Sequence, residues 1–261
     1  TIAVTDGSNC PITRTLSITQ PSSITLNPST TSVTCNGLCN GAINVAPTGG
    51  IAPYTYTLLT PVGGTVIALP PFNGLCSGTY TVFVRDLSTC SQSFTVNVVQ
   101  PNPLVPSVNS TSLTCFLVCN GSLAGSIAGG TPGYTLSWNT PTGLVAGGVI
   151  GGLCAGTYTF LANDFNGCTT SSIVTLTQPP QITATINVTN PLCNASCNGF
   201  ANAGVGGGTP GYTLNWSNGF TGNPNLGLCA GNYTLNVIDN NGCARSFTTS
   251  LIAPPALTIT V

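Results

Sequence analysis

The sequence predicts an all-β protein made of tandem β-sandwich repeats of about 75–80 residues each. Runs such as TYTVFV and FTVNVV alternate apolar and β-branched polar residues with period two, which is typical of strands with one buried face. Gly-Gly, Pro-Gly and Asn-Gly pairs interrupt these runs at short intervals, as turns do. The 32 Gly and 20 Pro argue against helices. About seven short strands in a repeat of this size indicate a sandwich of immunoglobulin-like type.

The repeat is visible in three similar segments, VTCNGLCNGAINV, LTCFLVCNGSLAG and PLCNASCNGFANA. Their first cysteines are spaced by 80 and 78 residues, at Cys35, Cys115 and Cys193. The last cysteines of the repeats are spaced by 78 and 75 residues, at Cys90, Cys168 and Cys243. Each repeat closes on a strand and a proline stop, as in IVTLTQPP. We therefore predict three whole repeats, at residues 22–101, 102–180 and 181–255.

The two ends of the chain resemble parts of a repeat. Residues 1–21 match only the last third, so we predict a lone hairpin there. Residues 256–261 match only the opening strand of a further repeat. The chain is then either cut from a longer array or built so that its ends complete something in a neighbouring molecule. An arbitrary boundary is the alternative.

Aromatic residues recur at matching positions of the three repeats, which favours packing over ligand binding. The core candidates are Tyr54, Tyr80 and Phe83 in the first repeat, Tyr134, Trp138 and Tyr158 in the second, and Tyr212, Trp216 and Tyr233 in the third.

Charge is scarce: the chain has 3 Lys plus Arg, 4 Asp plus Glu and no His. Nucleic-acid binding is excluded because three scattered arginines cannot form a basic face. Catalysis needs two positioned titratable groups, or a nucleophile with a base, and one Asp per repeat supplies neither. We therefore expect no enzyme activity and no cofactor. No apolar run is long enough for membrane insertion of this segment.

The 13 cysteines predict disulfides, and hence a secreted, extracellular protein. Zinc binding is the alternative, but it favours CxxC pairs or His ligands, whereas this chain has CxxxC spacing and no His. Four cysteines in a repeat allow three pairings, and the residues alone leave all three open.

All four acids begin the same short motif, DGSNC, DLSTC, DFNGC or DNNGC, at Asp6, Asp86, Asp164 and Asp239. An Asp that starts a tight turn accepts hydrogen bonds from backbone N–H groups two or so residues further on. Calcium binding is the alternative, but such loops gather several carboxylates, and each of these turns has one. We therefore interpret the four acids as turn residues and predict no metal site.

The motifs GGTPGYTLSW, GLCAGTYTF, DFNGC and TLTQPP, in this order, resemble the SprB-type repeat. That repeat occurs in very large surface adhesins of Bacteroidetes, including gliding-motility adhesins. The resemblance covers essentially the whole chain and implies an extracellular array of β-sandwiches that serves as a stalk or adhesive fibre. This sequence departs from the common pattern in having two additional cysteines per repeat and almost no charge.

The resemblance also implies a pairing, because simpler members keep only the first and last cysteine. One bridge per repeat would then be Cys35–Cys90, Cys115–Cys168 and Cys193–Cys243. The additional bridges would be Cys39–Cys76, Cys119–Cys154 and Cys197–Cys229. Cys10 lacks a partner in its partial repeat, so we predict that it is unpaired or bonded to another chain.

A nearly uncharged surface lacks electrostatic protection from aggregation, so we expect it to be covered. Glycosylation is one cover, with candidate acceptors in Asn-x-Ser/Thr triplets at Asn109, Asn120, Asn187, Asn194, Asn215 and Asn232. Packing into a polymer is the other. We hypothesise that a donor strand of Ala256, Leu257, Thr258, Ile259, Thr260 and Val261 adds to the hairpin near residues 11–20 of the next molecule.

The sequence thus predicts a structural protein that forms a surface fibre, a filament or an adhesin stalk. Its expected partners are copies of itself, or adjoining repeats of a longer chain, joined end to end; glycans are further candidate partners. The alternative is an adhesin module that binds glycans or surface polymers through loops at one end of each sandwich.

Overall fold

A computed structural model describes residues 1–259, and this part of the chain is all-β, with no helix. The chain forms two compact units. Unit 1 contains Thr1–Leu104, Gly129–Pro132 and Asn166–Cys168, and unit 2 contains Val105–Ala128, Gly133–Phe165 and the described residues from Thr169 onward.

Unit 1 holds nine strands in three sheets. They are a two-stranded hairpin, β1–β2, a three-stranded sheet of order β3-β4-β7 and a four-stranded sheet of order β6-β5-β8-β9. The strands are β1 Ile2–Thr5, β2 Pro11–Arg14, β3 Pro28–Thr31, β4 Gly41–Val45, β5 Thr55–Leu59, β6 Thr65–Ile67, β7 Phe72–Leu75, β8 Gly78–Arg85 and β9 Ser91–Val98.

Unit 2 contains two further pairs of sheets. Their orders are β10-β11-β14 with β13-β12-β15-β16, and β17-β18-β20 with β19-β21-β22. The strands are β10 Val105–Thr111, β11 Gly121–Ala128, β12 Thr135–Thr140, β13 Gly143–Ala146, β14 Val149–Leu153, β15 Gly156–Asn163, β16 Thr169–Leu176, β17 Thr183–Thr189, β18 Gly199–Gly206, β19 Thr213–Trp216, β20 Asn225–Leu228, β21 Gly231–Ile238 and β22 Ala244–Leu251.

Each pair of sheets has the connectivity of an immunoglobulin-like sandwich, because the chain crosses between the sheets instead of adding neighbouring strands in order. The first hydrophobic cluster contains Ile43 and Val45 from one sheet and Leu58, Val82 and Val84 from the other. Two more clusters lie between the sheet pairs of residues 105–176 and 183–251. The predicted all-β sandwich class is therefore confirmed, whereas the exact repeat boundaries stay predictions.

The aromatic core predictions are mostly confirmed. Tyr80, Trp138, Tyr158 and Trp216 are buried, and the ring of Trp138 contacts that of Phe160 at a centroid distance of 5.0 Å. Tyr54, Tyr212 and Tyr233 are partly buried and pack against the hydrophobic clusters.

Two of these predictions are wrong. Phe83 is 44% exposed because it alternates with the buried Val82 and Val84 on β8 and so points away from the core. Tyr134 is 37% exposed and lies just before β12 begins.

Among residues 1–259, no helix has the length and apolarity that crossing a bilayer would require.

Candidate functional site

The Asp turns are built as the sequence predicts, with the carboxylate accepting backbone hydrogen bonds. Asp239 Oδ1 accepts N–H groups of Asn241 and Cys243, both at 2.9 Å, and its Oδ2 accepts that of Thr209 at 2.8 Å. Asp86 likewise accepts from Cys90 at 2.9 Å and from Ile51 at 3.0 Å. Each of these carboxylates therefore ties its hairpin turn to a second loop.

That second loop begins with two glycines, and the close approach of the carboxylate requires them. A Cβ at Gly208, where φ is +59°, would lie 2.7 Å from Asp239 Oδ2. A Cβ at Gly50, where φ is +67°, would lie 2.8 Å from Asp86 Oδ2. The Gly-Gly pair and the Asp turn therefore form one structural element, although they lie more than 30 residues apart in the sequence.

The hydrogen bonds also set the charge state of the acids. Burial alone would raise the pKa of the Asp239 carboxyl, but the N–H groups of Thr209, Cys243 and Asn241 outweigh it, and the pKa lies below its ordinary 3.8. The N–H groups of Cys10 and Ser8 lower the pKa of the exposed Asp6 carboxyl in the same way, against a small opposing effect of desolvation. Both side chains are thus charged at neutral pH.

The outer cysteines do not pair within one repeat. The disulfides are Cys35–Cys168, which are 133 residues apart in sequence, and Cys115–Cys243, which are 128 residues apart; the Cα–Cα distance is 5.7 Å in both. The predicted bridges Cys35–Cys90, Cys115–Cys168 and Cys193–Cys243 are therefore wrong. In each observed bridge, the first cysteine of one repeat is joined to the Asp turn of the following repeat.

Hydrogen bonds explain this pairing. They hold the first cysteine of a repeat near the outgoing linker, which follows the last strand of the repeat, and the Asp turn near the incoming linker, which precedes its first strand. The loop of Cys35 is held by the outgoing linker: Gly37 N donates to Gln100 Oε1 at 2.9 Å. The glycine loop that carries the Asp86 turn is held by the incoming linker: Gly50 N donates to Ser22 O at 2.8 Å. The first cysteine and the Asp turn of one repeat thus lie beside different linkers, and each bonded first cysteine pairs with the turn of the next repeat.

An asparagine beside each bonded turn cysteine makes a second connection. Asn166 Nδ2 donates to Thr34 O at 3.1 Å and to Thr131 Oγ1 at 2.9 Å. Asn241 Nδ2 makes the equivalent bonds to Thr114 O at 3.0 Å and Thr209 Oγ1 at 2.9 Å.

The sequence interpretation missed both asparagines. The signal that could have identified them is the Asn-Gly pair in DFNGC and DNNGC, which is absent from DGSNC and DLSTC.

The inner cysteines pair as predicted, in Cys39–Cys76, Cys119–Cys154 and Cys197–Cys229. A tyrosine of the following strand supports each bridge. Tyr80 Oη donates to Cys76 O at 3.0 Å and Tyr158 Oη to Cys154 O at 2.9 Å. Three cysteines remain as exposed thiols, Cys10, Cys90 and Cys193. Residues 1–259 contain no group of three or more ligand-type side chains that could hold a metal ion.

The candidate glycosylation acceptors fall into two groups. Asn109, Asn187 and Asn232 are exposed on strands, and Asn215 is half-buried on β19. The other two amides bind the backbone or a neighbouring side chain. Asn120 Nδ2 donates to Thr114 Oγ1 at 2.6 Å, and Asn194 Nδ2 donates to Pro254 O at 3.1 Å.

The proposed donor strand is not part of a sheet over its described residues, 256–259. Leu257 is 99% exposed and Ile259 is 90% exposed. Thr260 and Val261 lie outside the described residues.

Part of the chain matches a known family model. The family model for the SprB repeat matches residues 23–63. The matched segment includes Cys35, Cys39 and the Gly49–Gly50 pair of the turn element described above. No curated protein sequence matches the chain significantly.

Several solved structures resemble the chain at low similarity. The full ectodomain (Ig1–Ig3) of mouse nectin-like molecule 4 is 13% identical, with 90% of this chain and 96% of that one covered and a TM-score of 0.35. A tetra-tandem repeat from the extending region of a large adhesion protein is 16% identical, with 97% and 80% covered and a TM-score of 0.29. Dpr2 Ig1–Ig2, in complex with DIP-Theta Ig1–Ig3, is 13% identical, with 88% and 99% covered and a TM-score of 0.31. TM-scores this low support no inference about function.

Proposed function

We propose that this protein is a non-enzymatic, extracellular structural protein whose SprB-type repeats form an adhesin stalk or surface fibre. The observation that carries the proposal is the pair of disulfides Cys35–Cys168 and Cys115–Cys243. Each bridge ties consecutive repeats to one another, whereas a bridge inside a repeat would stabilise only that repeat.

The two bridges overlap along the sequence, because Cys115 lies between Cys35 and Cys168. A pulling force on the two ends of the chain is therefore carried across the bridges, and the peptide between them cannot fully extend. A stalk that holds a cell to a surface needs this property, and an isolated enzyme or soluble binding domain does not.

Chemistry supports the extracellular and non-enzymatic parts of the proposal. Five disulfides use ten of the 13 cysteines, which is typical of proteins in oxidising compartments. The buried Asp86 and Asp239 carboxylates are occupied by backbone N–H groups within their turns, so neither is positioned for proton transfer.

End-to-end joining by strand addition is the finer part of the proposal. The hairpin β1–β2 leaves Ile2, Val4 and Ile12 exposed, by 53%, 60% and 63%. The segment from Ala256 onward exposes Leu257 and Ile259. An apolar hairpin and an apolar single segment complement each other, since strand addition would pair backbone groups and cover the side chains of both.

We also propose that glycosylation protects this nearly uncharged surface from aggregation. The exposed strand residues Asn109, Asn187 and Asn232 are the acceptors best placed for it.

Electron microscopy of the purified chain over a range of concentrations tests the fibre. We expect filaments that lengthen as the concentration rises, and single particles at every concentration would contradict the proposal. Thr258→Pro removes a backbone N–H that a donor strand would need and should abolish the filaments. Thr258→Val, which keeps this N–H and a β-branched side chain, is the matched control and should leave the filaments intact.

A further inference from the structure

We propose that the loop around Cys193 is a docking site for the Cys10 turn of a second copy of this chain, and that the two cysteines form an intermolecular disulfide. This inference rests on the proposed end-to-end assembly and names its covalent contact. The two bridges Cys35–Cys168 and Cys115–Cys243 serve as its structural templates.

The Cys193 loop has the same construction as the two loops that are bonded. The residue before each first cysteine donates its N–H to an asparagine Oδ1 six residues further on. These bonds are Thr34 N to Asn40 at 3.0 Å, Thr114 N to Asn120 at 3.2 Å and Leu192 N to Asn198 at 3.0 Å. The loop is therefore already shaped for a turn, although Cys193 itself is an exposed thiol.

An open cavity lies beside this thiol. It has a volume of about 390 Å³ and is lined by Leu192, Cys193, Asn194 and residues 254–257. The equivalent loop at Cys115 lines a cavity of about 340 Å³, and there Asp239 and Cys243 of the next turn supply part of the wall. The Cys193 cavity thus lacks the wall that an Asp turn contributes.

The Cys10 turn has the backbone geometry that the templates require. Cys10 N donates to Asp6 Oδ1 at 3.0 Å, as Cys243 N donates to Asp239 Oδ1 at 2.9 Å. The residue before the cysteine is left-handed in both turns, with φ of 60° at Asn9 and 80° at Gly242. Ser8 stands where Asn241 stands, so a hydroxyl replaces the amide as the donor toward the carbonyl of Leu192.

The hairpin that carries Cys10 has an exposed apolar face, which a second copy would cover in this arrangement. Leu235 and Val237 on β21 are 0% exposed, whereas the matching residues of β1, Ile2 and Val4, are 53% and 60% exposed. Docking of the turn at Cys193 would bring this apolar hairpin next to the exposed Leu257 and Ile259 of the other molecule, because residues 254–257 line the same cavity.

Cys90 is the competing thiol, and the linker position beside its turn is already filled. Gly50 N donates to Ser22 O, as Gly208 N donates to Pro180 O in the template. If Cys193 of a second copy docked at the Cys90 turn, the outgoing linker of that copy would have to occupy the same position. It would collide with residues 22 and 23.

Bond formation is an oxidation that needs a disulfide oxidant, such as oxidised glutathione. The thiolate of one cysteine attacks a glutathione sulfur and releases one glutathione thiolate. The thiolate of the other cysteine then attacks the mixed disulfide and releases a second. Two protein thiols are thus oxidised, and one glutathione disulfide is reduced to two thiols.

The test uses the chain of residues 1–261 in a glutathione redox buffer, analysed by non-reducing electrophoresis and by mass spectrometry of linked peptides. We expect a ladder of covalent oligomers that contains a Cys10–Cys193 peptide. Cys10→Ser and Cys193→Ser should each lose the ladder, whereas a mixture of these two variants should give one covalent dimer. Cys90→Ser is the matched control and should keep the ladder.

Electron microscopy of the same samples separates failure of this inference from failure of the proposed function. Filaments with no Cys10–Cys193 peptide, or a ladder lost in Cys90→Ser, would overturn the disulfide and leave the fibre standing. A Cys10–Cys193 bond within a single chain would overturn it too. If filaments and ladder are both absent, both proposals fail.

Discussion

The hairpins β1–β2 and β21–β22 carry the same Asp-x-x-x-Cys turn in different surroundings. Both turns use the Asp carboxylate to accept the cysteine N–H. Yet Leu235 of β21 is fully buried and Cys243 is bonded, whereas Ile2 of β1 is half exposed and Cys10 is a free thiol. The comparison shows that the turn is specified locally, whereas burial and disulfide formation depend on what the rest of the chain places beside it.

The largest expected difference between the hairpins concerns their cysteines. The double variant Cys115→Ser/Cys243→Ser opens a loop of 128 residues and should lower the free energy of unfolding by roughly 4–5 kcal/mol. Cys10→Ser removes a thiol that has no bond within the chain and should leave the free energy of unfolding unchanged. Thermal unfolding under non-reducing conditions measures both, and equal midpoints for the two proteins would refute the stabilising role of the bridge.

Side-chain burial should give the next largest difference. Leu235→Ala empties a fully buried position and should cost about 2–5 kcal/mol, because a cavity forms as apolar contact is lost. The matched change Ile2→Ala, on the exposed β1, should cost less than about 0.5 kcal/mol. Urea titration of both variants measures these values. A large cost for Ile2→Ala would show that the first hairpin is already covered in solution.

The Asp turns should differ by a smaller amount. Asp239→Asn turns one of two accepting oxygens into a donor, so either Thr209 N–H or the pair from Asn241 and Cys243 loses its acceptor. A buried unsatisfied group costs about 1–3 kcal/mol. Asp6→Asn is the control and should cost much less, because water can reach its turn. Similar losses in urea titration would mean that burial does not strengthen the turn.

Backbone conformation before the cysteine provides a stabilising prediction. Thr89 is left-handed, with φ of 70°, where Gly242 has 80° and Asn9 has 60°. A β-branched residue is strained there, so Thr89→Gly should raise the free energy of unfolding by about 1 kcal/mol. Asn9→Gly should gain less, since asparagine tolerates this conformation. Loss of stability in Thr89→Gly would argue against strain at this position.

Acid should affect the two turns in the same direction. The pKa of Asp239 and that of Asp6 lie below their ordinary 3.8 in the folded chain, so ionisation stabilises the fold above that pH. This contribution is lost as the pH falls below 3.8 and through the lowered folded values. Thermal midpoints measured from pH 6 down to pH 2 should therefore drop in the wild type, and less steeply in Asp239→Asn. Parallel curves for the two proteins would contradict this assignment.

Much of this molecule was predictable from local patterns. Alternation in TYTVFV predicted a strand with one buried face, and Val82 and Val84 lie on that face, whereas the predicted core residue Phe83 lies on the opposite one. The Asp motif predicted its own hydrogen bonds, because they reach only two to four residues. The inner disulfides were predicted correctly, but from the resemblance to the SprB-type repeat and not from the residues alone.

The outer disulfides could not be predicted in this way, because the presence of four cysteines per repeat does not indicate which linker each cysteine lies near. The sequence by itself determined the strands, the turns and the number of cysteines, since these depend on side-chain periodicity and on contacts within a few residues. The tertiary structure alone decided that Cys35 meets Cys168, because hydrogen bonds hold the Cys35 loop at the outgoing linker and the Asp turn at the incoming one. That choice joins one repeat to the next and leaves Cys10, Cys90 and Cys193 unbonded.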